Sequence, residues 1–178
     1  SEFYIQKNSL NYLIFRVCKM YGRGLRPNGP NWFEIMQKKF ALGRVFNLDN
    51  RIHIGFLDVM YLGMIIKLCI ERDVSNRLFQ ISSSDSLTIY EFANLYANIF
   101  KESSAQFHKA ALPFPEVKDI KNDALSEGRD LYYQLDTKNV EGFLSLNLPS
   151  VKESLEFSFL RFDGREAREV KGDWIKYL

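Results

Sequence analysis

The sequence predicts an α/β fold, and three observations carry that reading. Short, nearly continuous apolar runs alternate with stretches whose apolar residues recur at helical spacing. Two polar breaks carry helix-opening pairs, Asn31 with Glu34 and Thr88 with Glu91, each at the spacing of a reciprocal cap. The 178 residues are 46% hydrophobic and 26% charged, as in an ordinary globular domain, and 15% are aromatic, enough to fill a sizeable core.

The elements follow in order. Tyr12 to Val17 is a short apolar run of the kind found in a strand buried on both faces of a parallel sheet. It ends in the glycine-punctuated turn Tyr21-Gly22-Arg23-Gly24, and residues 25–30 are a loop by composition. Asn31 caps a helix that brings Phe33, Ile35, Met36 and Phe40 near one face, and Gly43 closes it. Arg44 to Leu48 reads as a short strand, with Asp49-Asn50 as a turn. Residues 51–57 are extended, and Asp58 then caps a long helix to about Arg72 whose apolar content predicts burial on most sides. Arg77 to Ser82 is a further buried strand, followed by a polar loop through Ser86.

Thr88 opens a helix with Phe92, Leu95, Tyr96 and Ile99 on one side. Ala105 to Leu112 is strand-like, and Pro113 to Arg129 is charged and irregular. Thr137 to Gly142 forms a short helix, and Leu148-Pro149 introduces a last amphipathic helix through Leu155, Phe159 and Leu160. Past Phe162 the chain turns charged, which divides it into a domain over residues 1–162 and a tail over 163–178. No internal repeat is present.

Charge and motif content exclude several classes. The formal net charge is +2, and the longest basic run is the pair Lys38-Lys39, which argues against a nucleic-acid or anionic-membrane partner. The longest apolar stretch, Val59 to Ile70, is too short to span a bilayer and contains Lys67. Cys18 and Cys69 sit in apolar strings and read as buried free thiols, which suits a reducing, cytoplasmic location. The residues from Ser1 to Tyr4 show no basic region leading into an apolar one. His53 and His108 stand outside any metal-ligand spacing, so no metal site is expected. There is no Gly-x-Ser-x-Gly elbow, no Walker loop, no Gly-x-Gly-x-x-Gly, and no Tyr with a Lys four residues on. These residues therefore carry neither the common nicotinamide-binding turn nor a tyrosinate acid/base.

Three segments carry a positive signal. Arg16-Val17-Cys18-Lys19-Met20-Tyr21-Gly22-Arg23-Gly24 resembles the Arg-x-x-Asn-x-Tyr-Gly-Pro-Gly of the extended short-chain dehydrogenase/reductase family, the NAD-dependent epimerases and dehydratases. Lys19 stands where that pattern has Asn, and Arg23 where it has Pro. Arg51-Ile52-His53-Ile54-Gly55-Phe56-Leu57-Asp58-Val59 is similar to the family's Arg-Asp-Phe-Ile-His-Val-Asp-Asp-Val. Gly128-Arg129 through Leu135-Asp136-Thr137-Lys138, with Leu148-Pro149 after it, resembles the close of the dTDP-4-dehydrorhamnose reductase branch, with Asp130 and Tyr133 departing from its usual Pro and Ser. Thr88-Ile89-Tyr90-Glu91-Phe92 matches a further family segment, so the resemblance runs over roughly residues 1–160.

The resemblance implies the C-terminal part of a Rossmann-type parallel sheet joined to a small mixed α/β substrate-binding domain. It implies Arg51 and Arg129 as clamps on the diphosphate of a nucleoside-diphosphate sugar, a role suited to the guanidinium fork. It places Lys19 and Tyr21 at the sugar or nicotinamide edge, and reads Asp58 as a helix cap. The family's catalytic Tyr-x-x-x-Lys and its NAD or NADP site would fall upstream of Ser1. On that reading the parent is a nucleotide-sugar reductase or epimerase, and these residues alone bind no cofactor. A non-catalytic nucleotide-sugar-binding or regulatory module of the same fold is the alternative. A strand at residues 12–17 without its sheet neighbours would expose an apolar edge and favour self-association.

Overall fold

The computed structural model describes residues 1–23, 30–102, 107–110 and 130–162. Helix α1 (Glu2–Asn8) leads to β1 (Leu13–Val17) and β2 (Lys19–Tyr21), then to α2 (Trp32–Ala41). Three short strands follow, β3 (Phe46–Asp49), β4 (Ile52–Ile54) and β5 (Phe56–Asp58), before α3 (Val59–Glu71), β6 (Arg77–Ile81) and α4 (Ile89–Phe100). The remainder is β7 (Phe107–Ala110), β8 (Leu131–Tyr133), α5 (Lys138–Leu144) and α6 (Val151–Phe162). The expected irregular segment before Asp130 and the charged tail from residue 163 lie outside the described residues.

The strands form four parallel pairs, β1 with β6, β2 with β5, β3 with β7, and β4 with β8. The chain changes partner at Cys18, whose N–H donates to the Ile81 carbonyl (2.9 Å), while the next N–H, of Lys19, donates to Gly55 (3.2 Å). One extended line from Leu13 to Tyr21 thus borders first β6 and then β5, and joins the two halves of the fold.

Helix starts follow the local chemistry read from the sequence. Asn31 accepts from the N–H groups of Phe33 and Glu34 while Glu34 returns a bond to the Asn31 N–H, and Thr88 and Glu91 repeat the arrangement. Each satisfies donors that the first turn would leave orphaned, a contribution of about 1 kcal/mol. Gly43, at φ +59°, follows α2 in the left-handed region that a glycine enters without a Cβ clash.

Two cores result. Phe33, Met36 and Phe40 of α2, Phe92, Ala93 and Tyr96 of α4, and Val151 and Leu155 of α6 close around Tyr21 and Phe56. On the β1–β6 ladder, Phe79 and Ile81 pack with Ile65 and Cys69 of α3 and Val140 and Leu144 of α5. Three expectations about faces are corrected. Ile35 is 43% exposed, because α2 buries only the stripe through residues 33, 36 and 40. Helix α3 fully buries only Ile65 and Cys69, and Ile70 faces outward, since just one of its faces meets other described elements. Leu160 is 47% exposed, because the inward face of α6 runs through Val151, Ser154, Leu155 and Ser158. Cys18 and Cys69 are free thiols, Cys69 buried and Cys18 half-buried.

Candidate functional site

Arg51 is positioned by the turn before β4. The Asp49 carboxylate accepts from the Arg51 N–H (3.3 Å) and the Ile52 N–H (2.8 Å), an aspartate turn that fixes how the strand begins. Across the ladder, the Leu131 N–H donates to the Arg51 carbonyl (2.9 Å), and Ile52, His53 and Ile54 register with Leu131, Tyr132 and Tyr133. The His53 ring stacks on Tyr132 with centroids 4.3 Å apart, and its two nitrogens lie 3.7 Å from a Glu91 oxygen and 3.9 Å from an Asp130 oxygen. The pairing therefore brings the Arg51 strand against the segment that follows Arg129. Arg129 itself lies outside the described residues.

Lys19 and Tyr21 sit on β2, opposite Phe56 and Asp58 of β5. Because β5 continues the line begun at Arg51, Phe56 lies only five positions beyond Arg51, at most about 18 Å of chain. The Lys19 ammonium lies 4.9 Å from the centroid of the Trp32 ring. Tyr21 is 2% exposed: its ring packs between Phe33 and Phe92, and its hydroxyl donates to Ser154 Oγ (2.7 Å). Burial drives its acidity well below that of a free tyrosine, outweighing the serine hydrogen bonds that act the other way. The structure thus sets Lys19 opposite Phe56, five positions after Arg51, on the neighbouring strand, and sets the Tyr21 side chain in the core.

Asp58 is fully buried and caps α3, its Oδ1 accepting from the Met60 N–H (2.9 Å). Its Oδ2 is held by the Ser158 hydroxyl and the Arg161 guanidinium. Ser154 ties the same spot from a third direction, accepting from the Asp58 N–H (3.0 Å) as well as from Tyr21. Gly22 completes the junction: a Cβ there would lie 2.8 Å from a Val59 methyl, at φ +149°. Ser154, Ser158 and Arg161 were missed in the sequence. Their spacing of four and three residues puts them on one helical face, a detectable signal that the neighbouring apolar residues obscured.

A pyrophosphate wants free N–H groups at a helix N-terminus behind a glycine-rich turn. The first-turn donors of α2, α3 and α4 are instead engaged by Asn31, Asp58 and Thr88, with the carboxylates of Glu34, Asp58 and Glu91 alongside. The described residues do not fit a nicotinamide dinucleotide by that route. Among them no group of three or more His, Cys, Asp or Glu could hold a metal ion, and no helix is long and apolar enough to cross a membrane.

The fold is a mixed α/β arrangement of parallel strand pairs, and solved structures share it. The chain is similar to dTDP-4-dehydrorhamnose reductase from Bacillus anthracis in complex with NADP, with a TM-score of 0.70 and 18% identity over 90% of this chain and 52% of that one. It is also similar to a dTDP-4-dehydrorhamnose reductase from Clostridium acetobutylicum (TM-score 0.68, 15% identity, 89% of this chain and 51% of that one). A third likeness is to UDP-glucose 4-epimerase with UDP-glucose from Thermotoga maritima (TM-score 0.63, 17% identity, 91% of this chain and 49% of that one). The chain spans about half the length of these structures. No protein-family model and no curated protein sequence matches it.

Proposed function

We propose that the chain is the substrate-binding portion of an NAD(P)-dependent nucleotide-sugar reductase or epimerase, similar in kind to dTDP-4-dehydrorhamnose reductase. Arg51 and Arg129 grip the diphosphate, and Lys19 stands at the sugar. Hydride and proton transfer belong to a cofactor-binding half with its own Tyr and Lys. The observation that carries the reading is the parallel pairing of β4 with β8, which joins the Arg51 strand to the residues directly after Arg129. A guanidinium makes two charge-assisted hydrogen bonds to neighbouring phosphate oxygens, so two such groups suit a pyrophosphate. The shared fold of nucleotide-sugar enzymes supports the same substrate class.

A binding module without catalysis is the second reading, favoured by the departures Lys19, Arg23, Asp130 and Tyr133 from the family's pattern. Calorimetric titration of UDP-glucose and dTDP-glucose tests the shared claim of both readings. Arg51→Ala is expected to weaken either ligand by about tenfold or more, the scale of a lost hydrogen bond to a charged group. Equal affinity of wild type and variant would refute the diphosphate assignment. Turnover once a cofactor half is present separates the enzyme from the module.

A further inference from the structure

Trp32 belongs to no motif that pointed to the site, yet its surroundings differ from those of the aromatic residues around it. Its indole Nε1–H donates to the Met20 carbonyl (2.9 Å), and the preceding Asn31 carboxamide donates to the Gly22 carbonyl (2.9 Å). These two bonds stitch the first turn of α2 to the end of β2 and fix the orientation of the ring. Phe33, Phe56 and Phe92 support it from the core, with centroids 5.8, 6.0 and 5.5 Å away. Unlike those three neighbours, the half-buried Trp32 has a cation over its ring, Lys19 Nζ at 4.9 Å from the centroid.

A lysine stem has four rotatable carbons, so a bare ammonium on β2 would sample many positions. An immobilised indole narrows them. Lys19 lies opposite Phe56, five residues beyond Arg51 on the same strand line, so a ligand whose diphosphate meets Arg51 extends one end toward it. Ammonium N–H groups suit sugar hydroxyls, and an indole face suits the C–H surface of a pyranose. We infer that Trp32 is a positioning residue that holds the Lys19 ammonium against the sugar of a bound nucleoside-diphosphate sugar. The inference rests on the proposed substrate class and adds the residue that sets contact with its sugar end.

The test compares UDP-glucose with UDP, which lacks the sugar, by calorimetry on the whole chain. Trp32→Leu is expected to weaken UDP-glucose by about 2- to 30-fold, the range of a cation–aromatic contact, and to change UDP by less than about twofold. Trp32→Phe, which keeps a ring, should retain more affinity for UDP-glucose than Trp32→Leu. In a double-mutant cycle, Lys19→Ala should cost little more once Trp32 is Leu. Equal weakening of both ligands by Trp32→Leu would mean a general structural role or a contact with the base, and would overturn the inference. So would an unchanged UDP-glucose affinity. Failure of the substrate class looks different: neither ligand binds the wild type, or Arg51→Ala leaves both unaffected.

Discussion

Helix α4 and the stretch from α1 to Leu10 both carry large apolar side chains and meet opposite fates. Phe92 and Tyr96 of α4 are at most 2% exposed, enclosed by α2 and α6, with Phe56 stacked on Phe92 at 4.4 Å. Phe3 and Tyr4 of α1 are 74% and 71% exposed, and Leu10 is 94% exposed. Among the described residues β1 pairs along one edge only, with β6, and α1 is tied to it by the exposed ion pair between Glu2 and Arg16 (2.6 Å). Apolar content alone therefore does not say which surface is core. A helix is buried when several elements converge on it, as α2 and α6 do on α4, whereas no residue of α1 is buried.

The contrast can be broken by mutation, and the largest effect falls in the enclosed region. Phe92→Ala should destabilise the fold by about 3–5 kcal/mol, whereas Phe3→Ala should stay within about 0.5 kcal/mol. Urea unfolding of the two variants measures this, and similar losses would mean that α1 is packed as tightly as α4. Next comes the buried clasp on Asp58. Arg161→Ala leaves a fully buried carboxylate without its cation, and a loss on the order of 3 kcal/mol is expected. The double variant Asp58→Asn, Arg161→Met should recover part of that loss, because it removes both charges together.

A smaller effect is expected at alkaline pH. Burial pushes Tyr61 and Tyr96 up to about 12, and Tyr21 higher still, against an ordinary value near 10. The folded state thus holds protons that the unfolded chain releases. The associated stability is fully present below about pH 10 and declines as pH rises toward 12. Tyrosinate absorbance should show the exposed tyrosines ionising first and these three ionising only at higher pH or on unfolding. Simultaneous ionisation of all tyrosines near pH 10, with the fold intact, would contradict the packing around Tyr21 and Tyr96.

What the sequence disclosed was mostly local. Capping pairs act between residues three apart, so Asn31 with Glu34 and Thr88 with Glu91 were legible without knowing the fold. Asp58 was legible as a cap for the same reason, while its grip on Ser158 and Arg161, about a hundred residues along the chain, was not. Tyr21 was readable as the end of a strand, but the side-chain direction depends on α4 and α6 arriving over it. Ile35 and Leu160 were placed on inward faces by apolarity, although a helix turns 100° per residue and the contacting stripe is narrower than its apolar content suggests. For the site, the motifs singled out Lys19 and Arg51, but the register that sets Lys19 opposite Phe56 came only from the fold, and Trp32 became visible only when α2 brought it beside Lys19.

The most direct test of the central claim is an amide chemical-shift map of the isotope-labelled chain as UDP-glucose is added. Binding across the β2–β5 and β4–β8 pairs predicts the largest shifts at residues 19–22, 51–53 and 130–132, with α1 unmoved. Saturating ligand that leaves those amides unchanged, or that shifts the α1–β1 face instead, would contradict it.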